Sequence, residues 1–153
     1  MSFERTTSQI LFDNGTHKCI SFTSLVKGEG IQANQFLIID HDRAAVLDPG
    51  GDLTYVPLTM ELNRYTKLKN LDYVMASHQD PDIITSMPRW LVYTDAKVVA
   101  SKLWARFLPH LNSAFMSDRM KGNWEDRLIE LADTGQVIPL GESAIVAIPA
   151  HFL

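Results

Sequence analysis

The residues of this chain best suited to chemistry sit in one short stretch, Ser77-His78-Gln79-Asp80-Pro81-Asp82. It follows a short apolar run and precedes an apolar helical pattern, so it is a strand-to-helix loop. In an extended loop alternate residues point the same way, which sets the His78 imidazole and the Asp80 and Asp82 carboxylates to converge on one spot. Such a donor set suits iron, manganese or zinc. Two carboxylates ~6 Å apart repel by roughly 3 kcal/mol at an effective dielectric near 20, but by under ~1 kcal/mol in water. A buried loop of this composition therefore calls for a cation or a proton, and an exposed one calls for nothing. The competing role for Asp80 and Asp82 is to cap the following helix, and Asp82 is placed to do both. His17, His41 and His110 fall outside any motif and read as surface or core-edge residues. Cys19 is the only cysteine, which excludes an internal disulfide. On a predicted strand it reads as a small buried hydrophobe of a cytoplasmic protein.

The elements that must position this loop follow from periodicity. Apolar runs at Gln9 to Phe12, His17 to Thr23, Gln35 to Asp40 and Ala44 to Leu47 predict strands, the last two forming a hairpin across His41-Asp42-Arg43. Asp48-Pro49-Gly50-Gly51 stops the strand. Tyr55, Leu58, Leu62 and Tyr65 recur at helical spacing, predicting a helix over Leu53 to Thr66 with Pro57 in its first turn. Leu71 to Ala76 is a strand, and Ile83 to Tyr93 a helix that Pro88 kinks or restarts. Lys97 to Ala100 is a strand, and Ser101 to Leu111 a helix capped by Ser101, with Leu103, Trp104, Phe107 and Leu108 on its apolar face. Asn112 to Glu125 carries the weakest pattern. Leu128 to Leu131, Val137 to Leu140 and Ser143 to Ala150 read as a meander of short antiparallel strands. Trp90, Trp104 and Trp124 read as core. Strands, then alternating strands and helices, then strands again imply a mixed α/β layered fold.

With 153 residues, 46% of them hydrophobic and 21% charged, the composition is that of a globular domain able to bury a two-layer core. The net charge of -4 and the lack of any basic block argue against nucleic acid as a partner. The longest apolar runs are far too short to span a bilayer, and the first residues lack the pattern of a signal peptide.

Three phrases spaced along the chain carry a family resemblance. Asp48-Pro49-Gly50-Gly51 after one apolar strand, His78-x-Asp80-x-Asp82 after another, and His151 at the end of a third resemble the metallo-β-lactamase superfamily. The match is best to its flavodiiron group, in which a carboxylate replaces the second histidine of the His-x-His-x-Asp-His pattern, and Asp80 stands in that place. Ser77 to Ile84 and Ile148 to Leu153 are most similar to the oxygen-binding diiron proteins, flavodiiron relatives lacking the flavodoxin domain. The resemblance covers essentially the whole chain. It implies an α/β, four-layer αββα sandwich, with residues 1–153 supplying the N-terminal part of a single domain incomplete at its C-terminal end. It implies that His78, Asp80 and His151 bind a first iron, that Asp82 binds a second, and that Asp48 holds the turn beside them. Two departures stand out. Ile83 occupies a position where the family usually has histidine, and two further expected ligands, a bridging carboxylate and a final histidine, would lie beyond Leu153.

The function so implied is that of a non-haem diiron protein that binds or reduces O2 or NO, with oxygen binding or sensing favoured over fast turnover. Carboxylate-rich ligation agrees, since hard oxygen donors stabilise oxidised iron. No flavin is expected within these residues, so work as a flavodiiron-like oxidoreductase would need an external electron donor. One alternative is a metal-dependent hydrolase using zinc-bound hydroxide, which Asp80 and Ile83 weaken; another is a metal-free interaction partner. The strands of such a half-sandwich would bury one face against strands not present here. Leaving ~400 Å² of it in water would forgo roughly 10 kcal/mol, so a homo-oligomer or a second polypeptide segment is expected to cover it.

Overall fold

The computed structural model describes residues 7–111 and 124–148. His151, the side chain of Trp124 and most of the Asn112 to Glu125 stretch lie outside the described residues. Seven strands form one sheet in the order β1 to β7: β1 (Ser8–Asp13), β2 (His17–Phe22), β3 (Gln35–Asp40), β4 (Arg43–Leu47), β5 (Leu71–Met75), β6 (Lys97–Ser101) and β7 (Leu128–Leu131). The first four strands pair antiparallel, and β4 through β7 pair parallel. A second sheet contains β8 (Gln136–Leu140) and β9 (Ser143–Ala147), an antiparallel hairpin.

Strand alternation divides the core in two. Leu37, Ile39, Ala44, Val46, Val74 and Val98 point to the helical layer, where they meet Leu58, Leu62, Trp90 and Leu91. Ala45, Met75, Val99 and Leu131 point the other way and pack on Ile138 and Leu140 of the hairpin. Central strands covered on both faces explain why β4 and β6 read as continuous apolar runs instead of alternating ones. A cavity of about 310 Å³ remains between the sheets, lined by Leu47, Met75, Val99, Trp104, Leu131 and Ile145 among others.

Several expectations are corrected. Leu128–Leu131 is not part of an antiparallel meander; it pairs parallel with β6, where Leu131 reaches the inter-sheet core. Helix α1 spans Asp52–Leu62, so Pro57 lies beyond the first turn in which it was expected. The helix stops short of Tyr65 because that side chain turns back to the sheet, its ring edge-on to Phe22 and its hydroxyl 2.8 Å from Ser8 Oγ. The single helix predicted over Ile83 to Tyr93 is two, α2 (Pro81–Ile84) and α3 (Met87–Tyr93), with Pro88 in the first turn of the second. At the break, the Ser86 amide donates to Gly50 O and its hydroxyl to Pro49 O. The helix predicted over Ser101 to Leu111 is a 3-10 helix at Ala105–His110. Three residues per turn stack Ala105 on Leu108, leaving Leu103 and Phe107 exposed. Trp90 and Trp104 are buried as expected. Cys19 is half-buried and free, and that burial pushes its thiol pKa up. After the short helix α4 (Trp124–Arg127), the Arg127 guanidinium donates to the carbonyls of Leu91, Thr94 and Ala96, tying the start of β7 to the end of α3. No helix among the described residues is long and apolar enough to cross a membrane.

Candidate metal centre

Parallel strands present their carboxyl ends on one side of a sheet, where loops can gather ligands. Here β4 delivers Asp48 and β5 delivers Ser77 and His78 to the same side, because Leu47 and Met75 are register partners. Asp48 has the left-handed φ of 57° that a tight exit from the strand requires, and its amide donates to Met75 O at 2.8 Å. Its carboxylate accepts both the Ser77 amide and the Ser77 hydroxyl, each at 2.7 Å. Asp48 thus fixes the backbone one residue before His78. Burial pushes the Asp48 carboxyl up, against the pull of the two Ser77 hydrogen bonds and of nearby His78.

The Asp-Pro-Gly-Gly turn is locked onto the loop that follows β5. Gly50 donates to Ile83 O at 2.8 Å and accepts from Ser86. Its φ of 81° suits glycine, and a Cβ there would lie 2.7 Å from the Thr54 side chain. Only a bare backbone permits this approach.

His78 and Asp80 are brought together: His78 Nδ1 lies 3.4 Å from Asp80 Oδ2 and accepts the Asp80 amide at 3.3 Å. Asp80 occupies the N-cap position of α2, yet its side chain makes no capping hydrogen bond. Its backbone carbonyl accepts the Ile83 and Ile84 amides instead. The carboxylate is therefore left available, with its side chain 61% exposed. Asp82 lies in the first turn of α2, where the helix N-terminus favours a negative charge.

Asp48, Asp80 and Asp82 line one cleft of about 410 Å³ together with Phe36, Ile83 and residues 31–34. Among the described residues, no lysine or arginine lines it. Ile83 also packs against the core, so its side chain is shared between the cleft and the protein interior. Among the described residues no three His, Cys, Asp or Glu side chains close around a single point. The structure thus pairs His78 with Asp80 and sets Asp82 and Asp48 on the same cleft. The position expected of His151 lies outside the described residues. Of the remaining histidines, His110 is exposed, while His17 and His41 gather at the far end of the sheet.

Two contributors were not singled out from the sequence. Ser77 carries a local signal, a hydroxyl directly before His78. The wall from Ile31 to Phe36 carries none: it reaches the cleft only because β3 pairs with β4.

The donor set fits a hard or borderline cation in its chemistry: three carboxylates line the cleft, and the His78 imidazole is paired with one of them. Comparison with known proteins gives the family. A family model described as "ODP family beta lactamase" matches residues 31–153. A solved structure titled "Peroxy diiron species of chemotaxis sensor ODP" superposes with a TM-score of 0.76 at 29% identity, over 96% of this chain and 55% of that one. The apo state of the chemotaxis sensor ODP from T. denticola gives 0.72 at 30% identity, over 95% and 54%. A curated protein of Synechocystis sp. described as "Putative diflavin flavoprotein A 4" is 33% identical over 95 residues, 59% of this chain and 16% of that protein. The chain spans about half the length of the two solved relatives.

Proposed function

Since the chain belongs to the ODP family of beta-lactamase-like proteins, we propose that it is part of a non-haem diiron protein that binds O2 and serves as an oxygen sensor. The observation that carries this reading is the anionic cleft at the carboxyl ends of β4 and β5, where His78 is paired with Asp80. A relative described as a diiron chemotaxis sensor supports the choice of sensing over reduction. In this reading His78 and Asp80, with His151, hold the first iron. Asp82 contributes to the second, and the ligands that complete it come from outside residues 1–153. Bound iron would supply reversible O2 or NO binding, with redox turnover where an external electron donor is present.

The chain's own residues prepare the site. Asp48, by accepting both Ser77 donors, positions the strand end that carries His78. Gly50 holds the Asp-Pro-Gly-Gly turn against the carbonyl of Ile83 and so sets where α2 begins. Phe36, Ile31 and Ile83 put apolar surface beside the carboxylates, which suits a small, weakly polar ligand. The protein is proposed to work in the cytoplasm, as a homo-oligomer or with a further polypeptide segment over the inter-sheet face.

Elemental analysis and visible spectroscopy of the natural protein, purified without oxygen and then exposed to it, test the reading. About two irons per chain and a visible band that appears with oxygen are expected. Zinc in place of iron, with a colourless protein that hydrolyses esters, would overturn it in favour of a hydrolase. Failure to retain any metal after reconstitution would leave only a scaffold.

A further inference from the structure

The end of the sheet remote from the cleft holds a second constellation. Asp40 closes β3 with its side chain only 5% exposed. Its carboxylate meets His17 Nδ1 at 3.2 Å, His41 Nδ1 at 3.1 Å and the Glu142 amide, which donates at 2.7 Å. His41 takes a left-handed φ of 53°, and its ring sits between two acids, with Nε2 3.5 Å from the Glu142 carboxylate. The approach of the two turns is close: a Cβ on Gly141 would lie 2.5 Å from Asp40 Oδ2 and 2.6 Å from the Asp40 carbonyl oxygen. The β3–β4 turn belongs to the first sheet and the β8–β9 turn to the second, so this cluster ties the two sheets together.

We propose that Asp40 and His41 form a proton-operated fastening that holds the β8–β9 hairpin on the first sheet, tight while His41 is protonated and slack once it is neutral. The proposal is independent of the metal reading. The groups facing His41 are Asp40, Asp42 beside it in its own turn, and Glu142 from the hairpin. From β2, His17 shares Asp40, and the neighbouring Lys18 is paired with Asp13 at 2.9 Å. From β4, Arg43 is paired with Asp72. From β9, Ser143 lies beside this cluster, its hydroxyl donating to Leu140 O at 3.3 Å. The two nearby cations are thus engaged elsewhere, and His41 is the imidazole set between two acids, whereas His17 meets Asp40.

The signs agree. The hydrogen bond from His41 is the main reason the Asp40 carboxyl is held well below the usual carboxylate range, so Asp40 stays charged through neutrality. Its bond to Asp40 raises the His41 pKa, helped by Glu142 and Asp42. A histidine whose folded pKa is raised contributes stability below its unfolded value of about 6.5 and loses it as pH climbs through the folded value. Slackening therefore comes on the alkaline side of about 6.5.

Hydrogen exchange of the natural protein between pH 5.5 and 9, corrected for intrinsic rates and read by mass spectrometry, tests this. Peptides over Gln136–Ala147 should lose protection about three- to tenfold as pH rises, the range expected for one partly exposed charge-assisted bond. Peptides over Arg43–Leu47 should not change. His41→Gln should abolish the pH dependence. Glu142→Gln, a change at an exposed side chain that spares the backbone bond, should move the midpoint to lower pH. Protection independent of pH in the natural protein would overturn the proposal. So would a His41→Gln variant that keeps the alkaline loss, or a Glu142→Gln variant whose midpoint does not move.

Discussion

Asp40, at the end of β3 and opposite the first residue of β4, and Asp48, directly after β4, stand roughly 17 Å of strand apart at about 3.3 Å per residue, and their surroundings differ in kind. Each end has a non-glycine residue in the left-handed region, His41 and Asp48, so the backbone is bent hard at both. Around Asp40 the protein supplies two imidazoles and an amide, and the carboxyl pKa is lowered. Around Asp48 it supplies one amide and one hydroxyl, both from Ser77, and burial raises the carboxyl pKa. Asp80 and Asp82 then add negative charge to the same cleft. The difference teaches how to separate a structural carboxylate from one set beside a proposed cation site. The first is satisfied by the chain's own donors, and the second is left short of positive charge.

The largest effect should come at the cleft. His78→Ala is expected to remove most of the bound iron, while His110→Ala, at an exposed position outside the motif, retains it. Elemental analysis of the two folded variants checks this, and equal losses would undo the assignment. Asp48→Asn should weaken iron binding about 10–100-fold, the usual cost of altering a group that orients a ligand, with little change in the urea midpoint. Asp40→Asn should do the reverse, lowering the midpoint and sparing the iron, as a chelator competition and a urea titration would reveal. If both variants lose iron equally, the two ends are not separate.

A smaller effect is expected from Gly141→Ala. Its Cβ has no room beside Asp40 and its φ is 58°, so a loss of about 1–3 kcal/mol in urea unfolding is expected. The acid limb sharpens the same contrast. Because the Asp40 pKa is depressed, its contribution to stability is present above the ordinary carboxylate value and is lost only as pH falls through the lower folded one. Thermal melts of Asp40→Asn should accordingly differ from the parent at pH 5 and converge with it in strong acid. The smallest effect belongs to Ile83→His. It should tighten the second metal equivalent by a few-fold in the natural protein and cost about 1 kcal/mol of packing, because the side chain is half in the core. Calorimetric titration showing an unchanged second equivalent would place position 83 off the metal.

Much of the architecture was legible because it is local. The strands from Gln35 and Ala44, the turn at Asp48 to Gly51 and the loop from Ser77 each announce themselves through alternation or turn residues. What misled was non-local. Leu128–Leu131 has the length and composition of a meander strand, and its parallel pairing with β6 depends on where Arg127 anchors it to the carbonyls of Leu91, Thr94 and Ala96. The segment after Ser101 has an apolar face at α-helical spacing, yet it winds as a 3-10 helix with Pro109 inside. Tyr65 continues the helical period of α1 but is drawn to Ser8 and Phe22, which come from strands more than forty residues earlier.

The sequence by itself determined the chemistry: which donors exist, that His78, Asp80 and Asp82 share a loop, and that this loop lies between a strand and a helix. Those are properties of neighbouring residues, set by steric preference and alternation. Tertiary structure alone decided which charges meet. It set Asp48 under Ser77 across 29 positions and brought the Glu142 amide to Asp40 across 102. The physical reason is that a carboxylate's role depends on the donors and dielectric around it. Those are supplied by segments whose approach is fixed only when the sheets pack.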